Sequence, residues 1–119
     1  MNPSHEIDRL VLKLHHPHHY VRFNAANALA EFGEDALQPL LEVLVSSLSE
    51  GARSAAAFSL GLIQSELAVT ALIDALELGA ADPPTPVAEY ACLSLEKIGT
   101  ARALRAAQRW RSTQRSDQG

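Results

Sequence analysis

The sequence predicts an all-α chain of stacked helical hairpins, about three of them, preceded by half a hairpin. Two observations carry that expectation. Alanine (20) and leucine (18) dominate the 119 residues, and aromatic residues make up only 5%. Alanine and leucine are strong helix formers, whereas strands favour β-branched and aromatic residues. The second observation is an internal repeat. Val21-Arg-Phe-Asn-Ala-Ala-Asn-Ala-Leu-Ala-Glu-Phe-Gly33, Ala52-Arg-Ser-Ala-Ala-Ala-Phe-Ser-Leu-Gly-Leu-Ile-Gln64 and Val87-Ala-Glu-Tyr-Ala-Cys-Leu-Ser-Leu-Glu-Lys-Ile-Gly99 superpose without gaps. Self-similarity at such a period marks stacked units that cannot bury their apolar faces alone.

Taken in order, Ile7-Asp-Arg-Leu-Val-Leu-Lys-Leu14 is an amphipathic stretch that precedes the first full unit. The three superposed segments follow as "A" helices. Ala25, Ala56 and Ala91 form one column, and Ala26, Ala57 and Cys92 another. Ala28, Ser59 and Ser94 are all small, Leu29, Leu60 and Leu95 identical, and Phe32, Ile63 and Ile98 large and apolar. Their spacing puts these columns on one helical face. Each A segment leads into a "B" stretch. Leu37, Leu40, Leu41 and Leu44 make the first apolar stripe. Leu72, Ile73 and Leu76 match the last three of these, while Leu104, Ala107 and Trp110 match Leu37, Leu40 and Val43.

The breaks carry stop and start chemistry. Gly33 and Gly99 stand where a helix favours a left-handed terminal residue. Gln64 at the equivalent place is a poorer terminator, which predicts a differently built turn. Ser65 reads as an N-cap, and Thr85 with Pro86 as an N-cap followed by proline at the first helical position. Asp35 as N-cap would bring Pro39 into the first turn, where its missing N–H costs nothing. The A segments begin at Val21, Ala52 and Val87. The extra residues before the third lie in Gly79-Ala-Ala-Asp-Pro-Pro-Thr-Pro86, a loop of the kind that often serves recognition.

The stretch His15-His-Pro-His-His-Tyr-Val-Arg-Phe-Asn-Ala-Ala-Asn-Ala-Leu-Ala-Glu-Phe-Gly33 resembles the HEAT-repeat signature, closest to the short HEAT-like repeat of phycobilisome lyases. Pro17, Val21, Arg22, Ala25, Ala26, Ala28, Leu29, Phe32 and Gly33 carry the likeness. The second copy keeps Arg53, Ala56, Ala57 and Leu60; the third has Ala88 in place of the arginine. The resemblance covers about residues 6–112. It implies a right-handed α-α superhelix with the B helices along a concave surface. Fold likeness by itself does not assign function.

Length allows one domain, placed at 1–112, with a polar tail at 113–119. No apolar run approaches the roughly 20 residues that span a bilayer. The N-terminal residues lack signal-peptide character, and a single cysteine suits a reducing compartment. A cytoplasmic protein away from membranes is expected. Charge is uneven: residues 1–99 hold 5 basic and 13 acidic residues, while residues 100–119 hold five arginines against Asp117. An acidic body argues against nucleic acid as partner, because phosphates need a basic face.

No motif for catalysis stands out, neither a phosphate loop nor a nucleophile elbow, so no enzyme and no cofactor are expected. His15, His16, His18 and His19 could bind zinc, nickel or copper. Pro17 marks their stretch as an inter-repeat turn, however, and an ordinary polar turn is the preferred reading. Cys92 invites a thiol nucleophile or a covalent bilin site, but its column mates Ala26 and Ala57 point to a small buried hydrophobe. Arg22 and Arg53 are expected to bond carbonyls or acidic groups of neighbouring turns. Trp110 is expected to cap the terminal core.

The partner-facing candidates are the polar B-helix columns Gln38, Thr70 and Arg105, and Glu42, Asp74 and Arg109. They run from acidic at the centre to basic at the C-terminal end, a gradient that orients an incoming partner. The expected function is a non-catalytic adaptor or scaffold that binds another protein. The resemblance adds an alternative, a bilin-lyase subunit or a phycobilisome assembly or degradation factor. A further alternative is a structural module that self-associates through its terminal repeats.

Overall fold

The computed structural model describes residues 3–79 and 84–116, with side chains as far as residue 114. Among them are seven α-helices and no strand: α1 (Pro3–Lys13), α2 (His19–Ala30), α3 (Glu34–Ser46), α4 (Glu50–Ile63), α5 (Val69–Leu78), α6 (Pro86–Ile98) and α7 (Ala101–Ser116). A 3-10 turn, Glu66–Ala68, leads into α5. The A helices α2, α4 and α6 stack in one layer and the B helices α1, α3, α5 and α7 in a second. This is an all-α solenoid. The closest pair is α4 with α6, within the A layer; between consecutive helices, α1 packs on α2, α3 on α4 and α5 on α6, and α7 folds back onto α6. Up to α6 the sequential packing thus runs from a B helix into the following A helix, and the last pair, α6 with α7, runs from A to B.

The predicted columns form the core. Ala25, Ala26, Ala56, Ala57, Ala91 and Cys92 are buried, as are Leu29, Leu60 and Leu95. Burying a leucine side chain contributes roughly 1.5–3 kcal/mol. Small residues also let the A helices come close enough for direct polar contacts. The Ser59 hydroxyl donates to the Ala26 carbonyl oxygen at 2.8 Å, and the Ser94 hydroxyl to Ala57 O at 2.5 Å. These are equivalent bonds, each tying one A helix to the one before. Among the described residues no A helix packs before α2, which carries Ala28 at the same place. Gly61 completes the contact, since a Cβ there would lie 2.8 Å from the Ser94 Cα.

Several helix ends differ from expectation. Gln64 adopts the same left-handed cap as Gly99, with φ 63° and ψ 30° against 75° and 8°. Its side-chain Nε2 donates to Lys97 O at 2.9 Å, so a tie between the ends of α4 and α6 offsets the strain. Gly33 is not a left-handed cap. Helix α2 tightens into i→i−3 bonds at Glu31, Phe32 and Gly33, and Gly33, at φ 58° and ψ −129°, becomes the N-cap of α3 in place of Asp35. Helix α3 then starts at Glu34, which puts Pro39 in the second turn. The bond its nitrogen cannot make would have gone to Asp35 O, on an exposed residue that water can serve.

Ser65 and Thr85 cap as expected, accepting from Leu67 N and Ala88 N at 3.2 Å each. Thr100 is an additional cap, for α7, accepting from Ala103 N at 3.2 Å. Of the Pro-rich loop, residues 80–83 lie outside the described residues; its ends are joined by Thr85 N donating to Gly79 O at 3.2 Å. Helix α7 continues to Ser116, into the stretch 113–119 read from sequence as a tail, and residues 117–119 lie outside the described residues. Leu104, matched to buried Leu37, is 45% exposed. Among the described residues no further helix packs on the outer side of α7, whose buried residues are Ala103 and Ala107.

Candidate protein-interaction surface

Helix α3 presents Gln38 and Glu42, α5 Thr70 and Asp74, and α7 Arg105 and Arg109. All six side chains are exposed. The rows follow from helical spacing, because residues four apart share a face once the leucine stripe is turned inward. The A layer is the more closely packed of the two. The exposed B face is thus the widely spaced side of the stack, where the family resemblance implied a concave one. Wide spacing opens grooves between B helices.

One groove of about 420 Å³ lies between α5 and α7. Ile73, Leu76, Ala106 and Trp110 give its apolar lining, with Arg102, Arg105, Arg109 and Glu77 around them. A second, of about 480 Å³, lies between the C-terminal halves of α3 and α5 and includes Asp74 and Arg53. Leu48 and Leu78 beside it are 99% and 89% exposed. The structure therefore brings Arg105 and Arg109 together over one groove and sets Asp74 at the other. Gln38 and Glu42 line neither. Thr70 accepts a hydrogen bond from Arg102 Nη1 at 2.9 Å.

Arg102 was not singled out from sequence, although its spacing from Arg105 and Arg109 (i, i+3, i+7) puts all three on one side of α7. Trp110 is partly buried against the core, consistent with a capping role, yet its indole Nε1 is buried without an acceptor among the described residues. On the flank of α7, Arg111 makes a bidentate pair with Glu96, both bonds 2.7 Å. That hydrogen-bonded guanidinium holds the Glu96 carboxyl below the usual carboxylate range.

The A layer carries a feature the repeat alignment concealed. Phe23, Phe58 and Tyr90 meet with ring centroids 5.1–6.1 Å apart, and His19 stacks on Phe23 at 4.5 Å. These residues occupy different columns in their copies, so superposition scatters them.

The histidines are occupied one by one. His15 Nδ1 lies 3.1 Å from Val11 O, to which it donates, and Nε2 lies 3.0 Å from Ser47 Oγ. His16 Nδ1 accepts from His18 N at 3.1 Å. Among the described residues, no three His, Cys, Asp or Glu side chains group as metal ligands. The arginines act as expected on turns: Arg22 Nη1 donates to His16 O and Pro17 O at 2.9 and 3.0 Å, and Arg53 Nη1 to Ser47 O at 2.6 Å. Gly51 makes room, since a Cβ there would lie 2.7 Å from Arg22 Nε. Cys92 is fully buried and burial pushes its thiol up to about 11, the state of an inert packing residue. No helix among the described residues is long and apolar enough to cross a membrane.

Comparison with curated proteins gives no match. Comparison with protein families matches residues 7–82, more than half of the chain, to the family described as HEAT repeats. That span opens in α1 and takes in two of the B-to-A hairpins seen in the fold, and with the layered helices it shows that the chain belongs to the HEAT-repeat family.

Proposed function

We propose that this chain is a non-catalytic adaptor that holds another protein against the exposed side of α3, α5 and α7. HEAT repeats commonly mediate protein interactions. The observation that carries the reading to this face is the row of six exposed polar side chains, Gln38, Glu42, Thr70, Asp74, Arg105 and Arg109, of which Asp74, Arg105 and Arg109 border two open grooves. The A layer spends its polar groups on itself, through Ser59, Ser94, Arg22 and Arg53. The B face leaves Glu42, Asp74, Arg105 and Arg109 free of hydrogen bonds and ion pairs among the described residues, available to set the register of a partner.

The test is a comparison of proteins retained from a lysate by the parent chain and by Glu42→Lys/Asp74→Lys. Loss or replacement of specific partners is expected; an unchanged set removes the B-face assignment. The bilin-lyase alternative has no support in the candidate thiol, because Cys92 is buried. Self-association through the terminal repeats would use surfaces such as the one formed by Glu96, Leu104, Gln108 and Arg111. Light scattering across a concentration series tests it.

A further inference from the structure

The groove between α5 and α7 pairs an apolar lining with an excess of positive charge. Ile73, Leu76 and Trp110 supply apolar surface, and three arginines face a single acidic neighbour, Glu77. The arginines of α7 divide into two sets. Arg111 is held by Glu96 on the flank of the helix. Over the groove, the guanidinium groups of Arg105 and Arg109 make no hydrogen bond or ion pair among the described residues, and that of Arg102 meets the neutral Thr70 hydroxyl. The indole Nε1 of Trp110 is buried and has no acceptor among the described residues.

We infer that this groove seats a short acidic peptide segment carrying an apolar anchor. The inference rests on the adaptor reading and narrows it from a face to one groove and one partner chemistry. Carboxylates suit the unpaired guanidinium forks. An apolar side chain suits the lining, and a volume of about 420 Å³ takes a few side chains rather than a folded surface. A long polyanion such as nucleic acid fits less well, because residues 1–99 carry eight more acidic than basic groups and would repel whatever extends beyond the groove.

The test is selection of a random dodecapeptide library on the full chain at low salt. Enriched peptides are then synthesised and titrated while following the fluorescence of Trp110, the single tryptophan. Acidic sequences with a conserved Leu, Ile, Phe or Trp are expected, with a shift in Trp110 emission. Affinity should fall at least about tenfold in Arg105→Glu/Arg109→Glu, and several-fold as salt rises through about 0.2 M. Both substituted residues are exposed, and an unchanged circular dichroism melt checks that the variant is folded.

The inference is overturned by any of several results. These are no enrichment, neutral or basic winners, equal binding to the double variant, and tighter binding of a single-stranded oligonucleotide than of any peptide. Self-association abolished by the same double variant would make a second copy the occupant and equally overturn it. Failure here while Glu42→Lys/Asp74→Lys still alters the retained proteins would leave the adaptor reading standing. Peptide binding in the groove with an unchanged protein set would do the reverse.

Discussion

Gly61→Ala is the sharpest test of the A-layer packing, because the ordinary expectation and the structure disagree in sign. In an exposed helix the change stabilises by about 1 kcal/mol, since alanine is the better helix former. Gly61 is instead buried on α4, and an added Cβ would lie 2.7 Å from the Ser94 Cβ and 2.8 Å from its Cα, with the Ser94 hydroxyl closer still. The hydroxyl could rotate away, but only by leaving Ala57 O, at a cost of about 1 kcal/mol. The Cα belongs to the α6 backbone and yields only if α4 and α6 separate, an overpacking cost of about 1–3 kcal/mol. Gain and losses together give a net destabilisation of about 1–3 kcal/mol. Urea unfolding followed at the helix band should show the midpoint falling by about 1 M, with a slope typical of small domains. Adding Ser94→Gly should recover part of the loss, so that the double variant is less destabilised than the two singles together. A Gly61→Ala variant about 1 kcal/mol more stable than the parent would refute the close approach of the two helices.

Four further outcomes follow from the same contacts. Leu60→Asp puts a carboxylate in the fully buried middle layer and should abolish the cooperative thermal transition; a parental melt would contradict the core assignment. Ser59→Ala should cost about 1 kcal/mol through the lost bond to Ala26 O, measured by urea unfolding, whereas Ala28→Ser, lacking an A helix to reach, should gain nothing. Arg53→Ala should cost about 1–2 kcal/mol by releasing Ser47 O at the turn before α4, and a neutral result by urea unfolding would remove the clamp. The Cys92 thiol, raised from 9.0 to about 11, keeps its proton in the fold where the unfolded chain has lost it. That contribution to stability is intact below pH 9 and lost as pH rises towards 11. Cys92→Ala should therefore lose less melting temperature than the parent between those pH values, and an identical decline would dismiss the buried thiol as its cause.

The parts of the fold legible in the sequence were those fixed by helical period. The Ala and Leu columns recur at spacings that can face only one way, and every A column assigned to the core is buried or half-buried. Helix ends were harder, because they depend on partners distant in the chain. Gln64 looks like a poor terminator until its amide is seen bonded to Lys97 O, 33 positions on. Gly33 looks like a cap, yet the 3-10 closing of α2 hands it to α3. Leu104 obeys the apolar stripe, yet among the described residues no helix covers it and it stays 45% exposed. The polar B columns were read from the same period and are exposed. What periodicity could not supply was distance between layers, and so neither the grooves nor the aromatic set of Phe23, Phe58 and Tyr90 was visible beforehand.

That missing distance follows from side-chain size. The A helices face one another through Ala, Ser and Gly, small enough for a hydroxyl of one helix to reach a carbonyl of the next. The B helices carry Leu, Ile and Trp at their contacts, and such side chains hold helix axes apart. A stack with small residues in one layer and large ones in the other is locked on the first side and grooved on the second. The proposed recognition role suits the B side because an A-layer substitution that freed a polar group would also loosen the stack, whereas the Arg105 and Arg109 side chains bear no such structural duty. Enlarging the A-layer contacts, as at Gly61, should disturb stability before binding; reversing charges on α7 should disturb binding and leave stability unchanged.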